Sequence, residues 1–139
     1  FGHSFGGLFA LHTLFTRPAL FQTIIAASPT IHWDDSALLR QEAKAVFDNP
    51  RRPRVHLSAG EHEGDRLAPF QEGRDDAAER LKKKKGERTI LHAREMAERL
   101  ARPDGAGLTT RFEVFAGETH MGVPTPAVGR AIQIAFSLG

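Results

Sequence analysis

Cysteine is absent from the 139 residues, tyrosine is absent too, and there is a single tryptophan. Without cysteine there is no disulfide framework, no thiolate metal site and no cysteine nucleophile. No apolar run approaches the roughly 18 residues that a membrane-spanning helix needs. Net charge is nearly lacking as well: 19 Lys and Arg against 17 Asp and Glu leave +2. Over a whole chain that is too little to point to nucleic acid. Neither nucleic acid nor membrane is therefore expected as a partner. Thirteen Gly and eight Pro are ordinary usage and do not indicate disorder. What is present is 40% hydrophobic residues in a chain of one-domain length, enough to bury a substantial core.

The chain opens on Phe1-Gly2-His3-Ser4-Phe5-Gly6-Gly7, a G-x-S-x-G-G pattern, and runs on into the apolar stretch LFALHTLF. It starts without an initiator Met, a charged-then-apolar leader or a capping residue. G-x-S-x-G carries chemistry only at a sharp turn from strand to helix. The helix is legible: Leu8, Leu11, His12 and Phe15 recur at helical spacing, and Arg17-Pro18 stops it. The strand that should precede Gly2 is missing, Phe1 apart. Either the motif is accidental or the chain is the C-terminal part of a longer fold.

The remainder alternates strand and helix. Residues 21–27 are β-branched and apolar and end at Ser28-Pro29, which predicts a buried strand. Asp34, Asp35 or Ser36 caps a helix to about Phe47, closed by Asn49-Pro50. Residues 54–59 form the next strand, ending at Gly60, and residues 110–116 the last, ending at Gly117. A final helix runs from Pro124 or Thr125 to Leu138, with Ile132, Ile134, Ala135 and Leu138 apolar. This order predicts an α/β fold, a mostly parallel sheet with helices on both faces. Between the second and third of these strands, two helices are expected at 71–84 and 87–102, broken at Gly86. The second carries Ile90, Leu91, Ala93, Met96, Ala97 and Leu100 on one stripe and should pack on the sheet. The first is nearly all charge. Its RLKKKKGER tail reads as a solvated helix end, where cations favour the helix dipole, rather than as a patch for phosphate or anionic lipid, since no aromatic residues are interleaved.

In an open parallel sheet reactive groups collect at the carboxyl ends of the strands. Those ends carry Ser4, then Glu61 and Glu63, then His120: nucleophile, acid, histidine, in chain order. A serine hydroxyl needs a base to take its proton. Histidine, titrating near ~6.5, can accept that proton and return it to a leaving group. A carboxylate holds the imidazole tautomer and stabilises the imidazolium. The other histidines lie within the elbow (His3), a strand (His56), helices (His12, His92) or loops (His32, His62). None pairs with a second ligand at metal spacing, so neither metal nor cofactor is expected.

GHSFGGLFALHTLF, FQTIIAASPTIHWDD, SAGEHEG and FAGETHMGVPTPAVGRAI together resemble the putative-esterase branch of the α/β-hydrolases, and within it the iron-siderophore esterases. The resemblance runs from residue 1 to about residue 136, and the charged middle is its least family-like part. It implies a carboxylic-ester hydrolase acting on a small-molecule ester, with Ser4 and His120 catalytic. It implies the backbone N–H of Phe5 as one oxyanion donor, with a second from a loop near the third strand of the fold. The acid is Glu63, three residues past the glycine that ends its strand, or Glu61; some relatives resemble a Ser–His dyad. Trp33, and less directly His3, are candidates for substrate contact; the family often carries paired tryptophans where this chain has His32-Trp33. On this reading residues 1–139 are the C-terminal part of one α/β-hydrolase domain, with 66–104 a charged, helical, insertion-like segment. The N-terminal strands and the second oxyanion loop then lie upstream, and the 139 residues alone are expected to be inactive and poorly soluble. Two other readings stay open: a non-catalytic binding module of the same fold, and a peptidase of the prolyl-oligopeptidase type, which shares G-x-S-x-G-G but normally has Asp where Glu63 stands.

Overall fold

Four strands, each parallel to the next, lie in chain order across one sheet: β1 (Gly2–His3), β2 (Thr23–Ala27), β3 (Arg54–Gly60) and β4 (Thr110–Phe115). This arrangement comes from a computed structural model that describes residues 1–137. Register is set by Gly2 opposite Ala26, Ile25 opposite His56 and Leu57 opposite Phe112. Parallel neighbours need a crossover, and helices supply it: α1 (Phe5–Thr16), α2 (Trp33–Glu42), α3 (Pro69–Glu72), α4 (Ala77–Glu87), α5 (Thr89–Ala101) and, after β4, α6 (Pro124–Phe136). Among the described residues no helix is long and apolar enough to cross a membrane.

Successive side chains of a strand point to opposite faces, and the core divides accordingly. Ile24 and Ala26 of β2 and Val55 and Leu57 of β3 join Leu11 and Leu14 of α1 and Met96 and Leu100 of α5 in one cluster. Ala27 and Phe115 join Val123, just before α6, and Ala127, in its first turn, in a second. Helices therefore cover both faces, as the sequence predicts.

Several boundaries differ from the sequence expectation. The helix expected to reach Phe47 ends at Glu42. Ala45 and Phe47 still reach the core, but as alternate residues of the non-helical segment after α2, with Val46 between them exposed. Asp34, Asp35 and Ser36 do not cap α2; they form a left-handed turn within it, at φ of 51°, 51° and 54°, a conformation that Asp tolerates better than most residues. The expected 71–84 helix is two pieces, α3 and α4. The break before α5 falls at Arg88, left-handed at φ 51°, while Gly86 is helical. In α6 the buried residues are Ala127 and Ala131, and Ile132 is exposed. Leu138, assigned to this helix from its apolar character, lies outside the described residues.

Candidate active site

Gly2 and His3 pair with Ala26 and Ala27, and the chain turns at once into α1. Ser4 occupies that turn at φ 58°, ψ −119°, a conformation that costs a non-glycine residue about 1–3 kcal/mol. It is held by its N–H to the Ala27 carbonyl (2.9 Å) and by its own carbonyl, which accepts from Leu8 N–H (3.0 Å) and Thr30 N–H (3.3 Å). Gly2 makes the turn possible, since a Cβ there would run into the Gly6 carbonyl. Phe5 is the first residue of α1, so its N–H has no acceptor within the helix.

Ser4 Oγ lies 3.0 Å from His120 Nε2, and His120 Nδ1 lies 2.7 Å from Glu63 Oε2. A carboxylate only accepts, which puts the imidazole proton on Nδ1 and leaves Nε2 free to accept from the Ser4 hydroxyl. Glu63 closes a 3-10 turn, Glu61–Glu63, at the end of β3, and His120 follows the end of β4. The two loops meet because Gly60 has no side chain: a Cβ there would strike the Glu118 carbonyl and sit 3.0 Å from Val123 Cγ2. His62 N–H to the Glu118 carbonyl (2.9 Å) and Gly117 N–H to Glu61 Oε2 (2.6 Å) fasten them. Glu61 is thus exposed and tied to the β4 turn, and the carboxylate that meets the imidazole belongs to Glu63.

Glu63 is only 4% exposed. Its Oε1 accepts from the Ser28 hydroxyl and from Gly60 N–H (2.8 Å), its Oε2 from His120. Burial raises its carboxyl, but these hydrogen bonds outweigh burial and hold it below the ordinary carboxylate value. In return the bond to Glu63 raises the His120 imidazole above its ordinary value, against an opposing effect of burial. A base so placed can take the serine proton and carry the resulting charge next to an anion.

His3 donates Nε2–H to the His120 carbonyl (2.8 Å), with the two rings 4.7 Å apart. Burial lowers its pKa, and the neighbouring His120 lowers it further. It supports the His120 loop from behind and is not among the residues lining the cleft that Ser4 and His120 open into. Trp33 is: half exposed, it meets the Phe5 ring edge-on at 6.2 Å in the wall of that cleft, about 470 Å³ in volume. A larger depression, about 780 Å³, lies by Glu42, Phe47 and Arg99 and holds none of these groups.

Ser28 and Thr30, the latter with its hydroxyl 3.4 Å from Ser4 Oγ, were not legible as site residues. Ser28 read only as the end of a strand, and Thr30 only as part of a family-like stretch. The basic helix read as a solvated helix end and not as part of the site. No residue of α4 is buried, as a solvated helix requires, yet Arg80, Lys83, Lys84 and Glu87 line the Ser4–His120 cleft. Lys84 Nζ donates to the His62 carbonyl and to Gln71 Oε1 (3.1 Å), fixing α4 against the Glu61–Glu63 turn. Partial burial lowers its ammonium from the ordinary value, while the Glu63 charge acts the other way.

A family model described as "Putative esterase" matches residues 1–118. The chain is 36% identical over 139 residues to ferri-bacillibactin esterase BesA of Bacillus subtilis (strain 168), covering 98% of this chain and 42% of that protein. It is 33% identical over 147 residues to the siderophore triacetylfusarinine C esterase of Aspergillus fumigatus, covering 98% of this chain and 48% of that one. Among solved structures, the siderophore hydrolase EstB from Aspergillus nidulans superposes with a TM-score of 0.85 at 29% identity, covering 99% of this chain and 48% of that chain. The chain spans less than half the length of each of these relatives.

Proposed function

Because the chain belongs to the putative-esterase family of α/β-hydrolases, we propose that it carries the catalytic centre of a serine hydrolase that cleaves carboxylic esters through a Ser4–His120–Glu63 relay. The observation that carries this reading is the unbroken hydrogen-bonded line across the ends of β1, β3 and β4, 3.0 Å from Ser4 Oγ to the imidazole and 2.7 Å from the imidazole to Glu63.

The steps follow from the groups. Ser4 Oγ attacks the ester carbonyl as its proton passes to His120 Nε2, giving a tetrahedral oxyanion and an imidazolium. The Phe5 N–H is one of the two donors such an oxyanion requires. The intermediate collapses as His120 gives the proton to the departing alkoxide, which leaves as an alcohol while the acyl group stays on Ser4. Water, deprotonated by the same nitrogen, hydrolyses the acyl-enzyme. Trp33 and Phe5 contact the substrate, and residues 66–104 are a helical insertion that walls the cleft. The relatives' names specify siderophore esters, and we infer a substrate of that type for this chain.

Hydrolysis of 4-nitrophenyl esters by the full-length protein, the native protein of these tests, checks the reading. Ser4→Ala should lower kcat/KM by about 10³-fold or more, and a fluorophosphonate probe should label the native protein but not the variant. Unchanged turnover in Ser4→Ala rejects the mechanism, and absence of both labelling and turnover in the native protein favours a non-catalytic module. Faster cleavage of a 4-nitroanilide than of the matching ester would move the assignment to a peptidase.

A further inference from the structure

The run Arg80-Leu81-Lys82-Lys83-Lys84-Lys85 has no structural duty that would explain all of its charge, since no residue of α4 is buried. Its arrangement is not symmetric, however. Arg80, Lys83, Lys84 and Glu87 are spaced i, i+3, i+4, i+7, one face of a helix, and all four line the cleft into which Ser4 and His120 open. Lys82 does not line it. Three cations thus stand against one carboxylate in this cleft, in a chain whose overall balance is 19 to 17. Glu63 is not part of that lining: it is buried behind His120 and engaged there, and of the three cations its charge acts on Lys84, the one that anchors the helix.

The three cations are not equivalent. Lys84 is committed to the His62 carbonyl and Gln71 and anchors the helix. Arg80 uses its Nε for Asp76 Oδ2 (2.6 Å), and among the described residues its two terminal amino groups make no hydrogen bond. Lys83 is 3.7 Å from Glu87, with its side chain 75% exposed; a pair of that length and exposure contributes little. A helix fixed at Lys84 therefore holds out two cationic heads, Arg80 and Lys83, with donors to spare. Charge focused in a cleft attracts anions more strongly than the same charge on a convex surface.

We propose that Arg80 and Lys83 form an anion-binding subsite in the Ser4–His120 cleft, so that the ester processed there carries an anionic oxygen group remote from its scissile bond. This rests on the esterase reading of the cleft and names the substrate class for it. The fork of Arg80 suits a two-oxygen anion, and Lys83 adds a mobile point charge.

Two measurements test it. The sole tryptophan, Trp33, stands in the wall of the same cleft, so its fluorescence in the Ser4→Ala protein reports occupancy without turnover. Titrated at low salt, phthalate should bind saturably and its neutral isostere phthalamide should not. Lys83→Gln and Arg80→Gln should each weaken phthalate about tenfold, Lys83→Arg should restore binding, and Lys82→Gln, the same charge change on the other face of α4, should leave it unaltered. In the active protein, the kcat/KM ratio of the 4-nitrophenyl hemiglutarate ester to the uncharged pentanoate ester should exceed one. It should fall about tenfold in Arg80→Gln/Lys83→Gln, through KM. Equal binding of phthalate and phthalamide, or equal effects of Lys82→Gln and Lys83→Gln, overturns the subsite. Cleavage of the pentanoate ester with a ratio that the double variant does not move rejects the subsite and keeps the esterase. Phthalate binding that depends on Arg80 and Lys83, with neither ester cleaved, keeps the subsite and rejects the esterase.

Discussion

At the scale of single residues, the weight of the site rests on Glu63. It accepts three hydrogen bonds in a place where water does not reach, and it sets both the tautomer and the basicity of His120. Glu63→Gln keeps the shape but can offer an N–H to Nδ1, which favours the tautomer with its proton on Nε2, where the serine proton must arrive. kcat should fall by about 10³-fold. The pH profile gives a second check. His120 acts as a base only when neutral, and Glu63 holds its pKa above the ordinary 6.5. Native activity should therefore fall away as pH drops through a value above 6.5, and in Glu63→Gln that limb should move to lower pH. A limb that stays in place in the residual activity of the variant would show that Glu63 does not act on His120. The residues alone left Glu61 and Glu63 equal, and the family resemblance pointed to Glu63, three residues past Gly60; what sets them apart in the fold is the Gly117 N–H that engages Glu61. Ser28 could not be read at all. Its hydroxyl meets Glu63 across 35 residues of sequence only because β2 and β3 are neighbours in the sheet.

At the scale of elements, strands were easier to read than helices. A strand buried on both faces is a short apolar run whatever its neighbours do, so the β-branched and apolar residues 21–27 predicted β2 closely, as residues 54–59, ending at Gly60, did β3. Helix ends depend on what the chain packs against next. Residues 43–47 continue a plausible helical composition, yet they lie outside α2, and Ala45 and Phe47 both reach the core while Val46 between them is exposed, a spacing of two that a helix does not give. This has a measurable consequence. Phe47→Ala should destabilise by about 1–3 kcal/mol in urea unfolding, and Val46→Ala, pointing outward, by about 0.5 or less. Leu57→Ala, fully buried at the centre of β3, should cost about 2–5 kcal/mol. Equal effects at 46 and 47 would restore the helical reading of the segment. The basic face of α4 was illegible for a related reason: composition marks a solvated helix, and only the Lys84 anchor turns one side of it into the cleft.

At the scale of the whole molecule, the same residues that form the site also tie its strands together. Glu63 follows β3, Ser28 follows β2 and His120 follows β4, so one buried carboxylate joins three strand ends. That link must depend on pH. A carboxyl held below its unfolded value, ordinarily 4.5, contributes stability that is present above that value and is lost as pH falls through the folded one. An imidazole held above its unfolded value of 6.5 contributes stability that is complete below 6.5 and is lost as pH rises through its folded value. Both contributions are complete together only between about pH 4.5 and 6.5. The stability difference between the native protein and Glu63→Gln should therefore be greatest in that window. It should shrink as pH falls through the folded value of the carboxyl, below which the native carboxyl is as neutral as the amide. Towards pH 9 the loss should be smaller, since the Ser28 and Gly60 bonds to the carboxylate persist after His120 loses its charge. Thermal unfolding of both proteins from pH 3 to 9, followed by circular dichroism, measures this directly. A difference that does not vary with pH would mean that Glu63 holds the strand ends by shape and hydrogen bonding alone, without the charge that the proposed chemistry requires.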